Sequence, residues 1–227
     1  NGAGDGVRFL AYHPPVDRSA AWTTSLIWDG GHATHNFDVI PGAGTQPASL
    51  LVAAREGIYR LRRDGRGWEA QAVAEAGARM PDFIGAGEVR AGRGSREFVA
   101  AIEPMHGNQL VVYDPPASGG GLWERKVIDG TLVDGHALVC GDLLGQGRDQ
   151  IVAGWRAMNR PGTRVGIRIY VDETGDGRSW RGEVLDDNTM ACEDLQLADL
   201  DRDGDLDVVA SGRATRNLKI YLNQRIP

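Results

Sequence analysis

Residues 193–210 read EDLQLADLDRDGDLDVVA, and residues 136–153 read HALVCGDLLGQGRDQIVA. In both stretches a short strand-like run leads into a turn rich in Asp or Gly, and a second apolar run ending in Ala follows. This second run occurs twice more upstream, as FVA at residues 98–100 and LVA at residues 51–53. Short apolar runs bounded by Gly- and Asp-rich turns are typical of β-strands. The chain is therefore a tandem repeat of β units, and such a repeat determines the architecture.

Tyrosine and tryptophan mark the second half of each unit. The tryptophans recur after 46, 55 and 57 residues, and a tyrosine precedes each of them by 9 or 10 residues. The pairs are Tyr12 and Trp22, Tyr59 and Trp68, Tyr113 and Trp123, Tyr170 and Trp180, with Tyr221 alone near the end. Four short β-runs per unit, at a period near 50 residues, are typical of a propeller blade. We predict an all-β propeller of four-stranded antiparallel blades, with a β-sandwich as the alternative.

The order of strands predicts where the units begin and end. We expect one propeller domain, or a fragment of one, over residues 1–227, with blade parts at about 1–30, 31–77, 78–131, 132–188 and 189–227. The chain opens and closes in a third strand, so its termini carry overlapping rather than complementary pieces. This predicts four to five blades of a larger ring, with further blades from missing sequence or another chain. A self-contained ring of four or five blades is the alternative.

Composition limits the kind of partner. The chain has 227 residues, 41% hydrophobic and 25% charged, which is ordinary for a soluble globular protein. The net charge is −6 and no basic run occurs, so neither nucleic acid nor an anionic membrane is expected as a partner. No apolar run approaches the length of a transmembrane helix. Cys140 and Cys192 fall at different heights on neighbouring innermost strands, which predicts two free thiols.

The last unit contains an aspartate loop typical of calcium sites. Carboxylates stand at positions 1, 3, 5 and 9 of this loop, with Gly204 at position 6, which is the spacing of the liganding half of an EF-hand. We predict a structural Ca²⁺ site formed by Asp199, Asp201, Asp203, Asp205 and Asp207. A solvated acidic turn is the alternative. In the preceding unit Leu144 and Gln150 replace carboxylates, so no Ca²⁺ is expected there.

The aspartate loop followed by Val208 and Val209, and Asp142 followed by Ile151 and Val152, resemble the FG-GAP/VCBS repeats of integrin-type propellers. That resemblance implies a seven-bladed ring, loop-bound calcium and an extracellular or periplasmic location. First strands led by His and second strands ended by Arg are also similar to the propeller domain of aldos-2-ulose dehydratases, a family of sugar dehydratases. That similarity implies a link to carbohydrate chemistry. Fold alone does not fix activity.

Ionisable residues recur at the start of the first strand. His35, Asp82, His136 and Glu193 each follow a repeated tryptophan by 13 or 14 residues. Innermost strands surround the central channel of a propeller, so equivalent positions form a ring at one height. Two His with Asp or Glu are suitable ligands for a divalent metal, and we predict an axial Zn²⁺ or Mg²⁺ site there. A purely structural role, joining neighbouring blades, is the alternative.

A second set follows the second strand at the same mouth. Its members are Arg55, Glu103, Arg156 and Arg213, with His106 just beyond Glu103 and Trp155 just before Arg156. His136 and His35 are candidates for acid–base catalysis, and Arg156 and Arg213 for holding an anionic or polyhydroxy ligand. Arg55, Glu103, His106 and Trp155 are candidates for substrate binding.

These patterns predict a calcium-stabilised propeller that binds a sugar or sugar acid at the channel mouth. The chemistry indicated is that of a metal-assisted lyase, dehydratase or isomerase, in which a base removes a proton next to a carbonyl or carboxylate. A non-catalytic lectin or a protein-interaction propeller is the alternative. A lectin predicts one similar pocket for each pair of blades.

Overall fold

The computed structural model describes residues 4–157 and 160–224, and within these residues the chain forms β-strands and no helix. The insertion at residues 158–164, which the sequence predicts to lengthen a loop into a rim or lid at the channel mouth, lies partly outside the described residues. No helix in the described ranges could span a membrane. The strands form five antiparallel sheets that follow one another along the chain.

Three of the sheets have four strands each, paired in chain order. The first contains β3 (Phe37–Ile40), β4 (Ser49–Ala53), β5 (Gly57–Arg63) and β6 (Trp68–Glu75). The second contains β7 (Glu88–Arg93), β8 (Glu97–Glu103), β9 (Gln109–Asp114) and β10 (Glu124–Asp129). The third contains β11 (Gly135–Gly141), β12 (Gln150–Trp155), β13 (Gly166–Asp172) and β14 (Trp180–Asp187).

The outer two sheets hold fewer strands. At the start of the chain β1 (Val7–His13) pairs with β2 (Thr23–Gly31). At its end β15 (Cys192–Ala198), β16 (Asp207–Gly212) and β17 (Asn217–Tyr221) form a three-stranded sheet. The first strands of successive sheets are neighbours, because β7 packs against both β3 and β11, and β11 packs against β15. This arrangement of four-stranded antiparallel blades confirms the predicted all-β propeller class.

Apolar side chains alternate between the two faces of each second strand and fill the gaps between blades. In β8, Val99 and Ala101 face the core shared with the β3–β6 sheet. Phe98 and Ile102 face the core shared with the β11–β14 sheet. A third core joins that sheet to β15 and β16. Since successive side chains of a strand point to opposite faces, each blade is wedged between its neighbours by both of its faces.

The cysteines agree with the prediction, since both Cys140 and Cys192 are free. The repeated tryptophans differ from one another in burial. Trp123 is 9% exposed and lies in the core between two blades. Trp180 packs edge-on against Phe98 at a ring-centroid distance of 5.4 Å. Trp22, in contrast, is 57% exposed.

A tyrosine and a carboxylate tie neighbouring blades together. The hydroxyl of Tyr170 donates to Asp129 Oδ2 at 2.6 Å, and that of Tyr221 donates to Asp186 Oδ2 at 2.8 Å. In each case the acceptor lies at or near the end of the preceding blade's outer strand. Lys219 also donates to Asp186 Oδ2, at 2.7 Å. These contacts satisfy carboxylates that would be costly to bury alone.

The Asp186 carboxylate should make the fold sensitive to acid. Burial opposes its ionisation, but hydrogen bonds from Lys219, Thr189 and Tyr221 outweigh burial and lower its pKa from 3.8 to about 2. Its ionised form therefore stabilises the fold above pH 4, and this contribution is lost as the pH falls towards 2. We expect Asp186→Asn to lower the free energy of unfolding by about 1–3 kcal/mol at pH 6. Urea unfolding should show the gap between variant and wild type narrowing towards pH 2, and a gap independent of pH would contradict this account.

Candidate functional site

Three histidines from three successive blades meet at one end of the innermost strands. His35 precedes β3, His106 lies in the loop between β8 and β9, and His136 is the second residue of β11. The ring centroids are 4.6 Å apart for His35 and His106, 4.9 Å for His35 and His136, and 4.8 Å for His106 and His136. One ring nitrogen of each histidine lies within 4.8 Å of one nitrogen of both others. We call this group the histidine cluster.

Local irregularities in the strands aim these side chains. In the pairing of β11 with β12, Gly135 is opposite Trp155 and Ala137 is opposite Gly154, so His136 lies at a bulge. Glu193 lies at the same kind of bulge between β15 and β16. A bulge turns a side chain away from its regular direction. His106 is held in a left-handed conformation with a φ of 53°.

Two of the histidines have their Nδ1 atoms occupied by neighbouring acceptors. His35 Nδ1 is 2.9 Å from Glu88 Oε1, and His136 Nδ1 donates to the carbonyl oxygen of Glu193 at 2.7 Å. Their Nε2 atoms are left to face the cluster, where His35 Nε2 is 3.0 Å from His106 Nε2. Metal-binding histidines are commonly oriented by an acceptor at the opposite ring nitrogen. The geometry therefore suits a divalent metal.

The acid–base properties of the cluster are unequal. The hydrogen bond to Glu88 raises the pKa of His35, although burial opposes it. Burial lowers the pKa of His106, and the nearby charge of His35 lowers it further. In the absence of a metal, a proton at the contact between the two Nε2 atoms therefore belongs preferentially to His35.

A buried arginine organises the carboxylates beside the cluster. Arg156 is 7% exposed, and its Nη1 donates to both oxygens of Glu193 at 2.7 and 2.8 Å. Its Nε donates to Asp134 Oδ2 at 3.1 Å. Burial opposes ionisation of Glu193, but the Arg156 hydrogen bond and the neighbouring cations lower its pKa overall. Arg156 is therefore engaged by protein carboxylates, and its predicted role as a direct ligand clamp becomes one of positioning Glu193.

The ring predicted from spacing needs one correction. His35, His136 and Glu193 come together, and Glu193 Oε1 is 3.9 Å from His136 Nε2. Asp82 instead lies exposed in the turn before β7, with no hydrogen bond or ion pair to the histidines. Residues 76–87 form a connection longer than those before β11 and β15, so counting from Trp68 stops short of the strand. Glu88, the first residue of β7, takes the place assigned to Asp82.

Two residues predicted to bind substrate are buried away from the mouth. Glu103 is 1% exposed and accepts hydrogen bonds from Tyr113 and Arg125. Trp155 is 7% exposed in the core between blades, and its indole N–H donates to the Arg164 carbonyl at 2.8 Å. Both stand at the end of a second strand, where side-chain alternation sends them into the protein rather than towards the channel.

The remaining arginines lie at the surface. Arg213 is mostly exposed, with Nη1 3.5 Å from Glu193 Oε1, and so borders the cluster. Arg55 pairs with Glu56, which also binds His32. Asp134, which orients Arg156, was missed by the sequence reasoning because it precedes the strand and follows no repeat position.

The aspartate loop lies at the other end of β15. Ligand atoms of Asp199, Asp201 and Asp207 all lie within 4.8 Å of one another. Asp207 is fully buried, and its oxygens accept from the backbone N–H groups of Leu200 at 2.9 Å and Asn223 at 2.8 Å. No cationic side chain among the described residues forms an ion pair with it. Partial desolvation and repulsion from the other aspartates raise the pKa of Asp201.

The matching loop of the preceding blade has a neutral residue at the buried position. Gln150 is 1% exposed, and its Oε1 accepts from Leu144 N at 2.9 Å. Asp142 accepts from the backbone N–H groups of Gln146 and Gly147 at 2.8 and 2.7 Å. The same turn is therefore closed there by a neutral amide at the position that Asp207 occupies in the last blade.

Comparison with known proteins relates the chain to a sugar-processing enzyme. The family model for the β-propeller domain of aldos-2-ulose dehydratase matches residues 5–115. The propeller is related to that domain. The aldos-2-ulose dehydratase of Phanerodontia chrysosporium is 29% identical over an alignment of 170 residues, and the match covers 63% of this chain. The chain spans 19% of the length of that relative. The family match includes His35 and His106, whereas His136 and the aspartate loop follow it.

Proposed function

We propose that the chain is a propeller of a carbohydrate dehydratase, with a divalent metal held by His35, His106 and His136. The observation that carries this proposal is the convergence of three imidazoles, two of them oriented through Nδ1. The relationship to the aldos-2-ulose dehydratase propeller supports a sugar with a carbonyl group as the substrate class. An isomerase acting on the same carbonyl chemistry would use the same groups.

The donor set fits a borderline metal such as Zn²⁺. Three protein ligands with an open position are typical of catalytic zinc sites, and neutral imidazole is a preferred donor. Mg²⁺ prefers oxygen ligands, so the histidine cluster argues against the Mg²⁺ alternative. A bound metal would polarise a carbonyl or hydroxyl oxygen of the sugar as a Lewis acid.

The neighbouring residues supply the proton chemistry. Dehydration next to a carbonyl requires removal of a proton from the α-carbon and departure of hydroxide from the β-carbon, which together release water. Glu193 is a carboxylate whose pKa is lowered, so it is ionised at neutral pH as an ordinary carboxylate is, and it lies 3.9 Å from His136. We assign Glu193 as the base and Arg213, exposed beside it, as a donor to substrate oxygens.

The first test measures metal binding and turnover together. We expect the chelator-treated chain to bind one Zn²⁺ or Co²⁺ at the histidine cluster. Loss of a residue that only orients a metal ligand typically weakens metal affinity by about 10- to 100-fold, so His136→Ala, which removes a ligand itself, should weaken it more. Dehydration of an aldos-2-ulose such as D-glucosone, followed by ultraviolet absorbance of the conjugated product, should fall in parallel. The matched control is His13→Ala, which removes an exposed histidine bonded to Ser25. Unchanged turnover in His136→Ala would rule out the catalytic assignment.

Calcium in the aspartate loop is the second part of the proposal. The support is the buried Asp207 carboxylate, which has two backbone donors but no cationic partner among the described residues. Burying an unpaired charge is costly, and a bound cation removes that cost. Carboxylate oxygens are the ligands that Ca²⁺ prefers. We assign this ion a structural role.

A matched pair of variants tests the calcium site. Asp199 and Asp142 open equivalent loops, and each accepts two backbone hydrogen bonds. We expect Ca²⁺ at about 100 times its dissociation constant to stabilise the wild type and Asp142→Asn by roughly 2.7 kcal/mol. Asp199→Asn should lose most of this gain in thermal unfolding. Equal calcium responses in the two variants would exclude the loop as the site.

Non-catalytic sugar binding is a second candidate, favoured by a repeated pocket. Pockets lie in three successive gaps between sheets. Each is lined by a repeated tryptophan and by the residue directly after a repeated tyrosine. The pairs are Trp68 with His13, Trp123 with Arg60, and Trp180 with Asp114. One pocket per gap is the arrangement expected of a lectin.

Nuclear magnetic resonance distinguishes the two candidates. A lectin predicts that glucose or glucuronate shifts the indole N–H resonances of Trp68, Trp123 and Trp180, while exposed Trp22 serves as the internal control. A dehydratase with one central site predicts shifts confined to the mouth. Movement of the three indole signals at metal-independent affinities would favour the lectin.

A further inference from the structure

Three of the repeated tyrosines donate to a carboxylate, but for one of them the carboxylate belongs to its own blade rather than to the preceding blade. Tyr170 and Tyr221 bind Asp129 and Asp186, which belong to the preceding blade. Tyr113 instead donates to Glu103, the last residue of β8 in its own blade. The second strands of the neighbouring units lead into Arg55, Arg156 and Arg213 at the corresponding position. The repeat is therefore broken in the blade that supplies His106.

The broken position lies at the base of the loop that carries His106. Glu103 and Gln109 form the closing pair of β8 and β9, and residues 104–108 connect them. Arg125 from β10 joins both ends of the loop: its Nη2 donates to Glu103 Oε2 at 2.8 Å and to Gln109 Oε1 at 2.6 Å. Its Nε also donates to Glu103 Oε2, at 3.0 Å. We call Glu103, Gln109, Tyr113 and Arg125 the loop clamp.

The loop itself leaves His106 little freedom. Gly107 N donates to the Pro104 carbonyl at 2.7 Å, and a Cβ at Gly107 would lie 2.1 Å from the Glu103 carbonyl oxygen. His106 has a φ of 53°, in the left-handed region that residues other than glycine rarely adopt. Gly135 N, directly before His136, donates to the Gly107 carbonyl at 2.9 Å. The same loop therefore fixes two members of the histidine cluster.

We propose that the loop clamp, with Glu103 at its centre, positions His106 for metal binding. This inference rests on the proposed metal site. Glu103 does not touch the cluster and is a positioning residue: its carboxylate fixes the base of the loop, and the loop fixes the imidazole. Glu103 is 1% exposed and Tyr113 is fully buried, so solvent does not compete for these contacts.

A merely structural clamp would affect stability alone, so the test separates stability from metal affinity. Tyr113→Phe and Tyr170→Phe each remove a buried hydroxyl bonded to a carboxylate, but only Tyr113 lies in the loop clamp. Both variants should lower the unfolding midpoint. Tyr113→Phe and Glu103→Gln should weaken Co²⁺ binding by about tenfold and alter its visible absorption bands, as changes around metal ligands do. Tyr170→Phe should retain wild-type affinity and the wild-type spectrum.

The outcomes distinguish this inference from the proposed function. Co²⁺ binding by the wild type that is unchanged in Tyr113→Phe and Glu103→Gln would overturn the positioning role and leave the metal site standing. Absence of Co²⁺ binding by the wild type would overturn both. Arg125→Lys, which retains the charge but cannot bridge Glu103 and Gln109 through a fork, gives a further test if Glu103→Gln folds poorly. Its affinity should fall in the same direction, and a wild-type value would count against the clamp.

Discussion

The packing of each blade against both neighbours is the constraint on which the rest of the structure depends. Alternating side chains of one strand enter two different cores, as Val99 and Phe98 do on β8. A blade can therefore neither rotate nor slide without opening one of these cores, and close-packed interiors resist such changes. The first strands are consequently held side by side. His35, His106 and His136 can meet only because three separate blades are fixed in this way.

Buried carboxylates add direction to this non-directional packing. Asp129 and Asp186 join one blade to the next, whereas Glu88 joins His35 to β7. Each has donors that replace the water it loses, which is the condition for a buried charge to be tolerated. The carboxylates differ in the group that they bind. Two accept hydrogen bonds from tyrosines that join neighbouring blades, and one orients an imidazole. Small changes in where a carboxylate stands can thus convert a structural contact into part of a site.

The repeat allowed the fold and two of the three residues of the histidine cluster, His35 and His136, to be predicted from the sequence as axial ligands, whereas His106 was predicted at the same mouth as a substrate contact. His35, His136 and Glu193 were found because their distances from the repeated tryptophans survive into the structure. The assignment of Asp82 to the ring was wrong because the connection at residues 76–87 is longer than its counterparts. Counting residues from the repeated tryptophan does not detect an insertion between two strands. Glu103 and Trp155 were misjudged for another reason. A position near the end of a strand in the sequence does not reveal the face of the sheet to which that side chain points.

The two candidate metal sites are separated by the length of one strand, and this separation limits what each can do. Glu193 stands near the start of β15 and Asp199 directly follows its end, so six residues at about 3.3 Å each place them roughly 20 Å apart. A cation in the aspartate loop is therefore too distant to polarise a substrate at the histidine cluster. It can act on the mouth only by fixing β15 and β16, whose pairing sets the bulge that carries Glu193. Under the proposed function, the aspartate loop therefore anchors the strand that carries Glu193, and the proposed chemistry takes place at the opposite end of the blade.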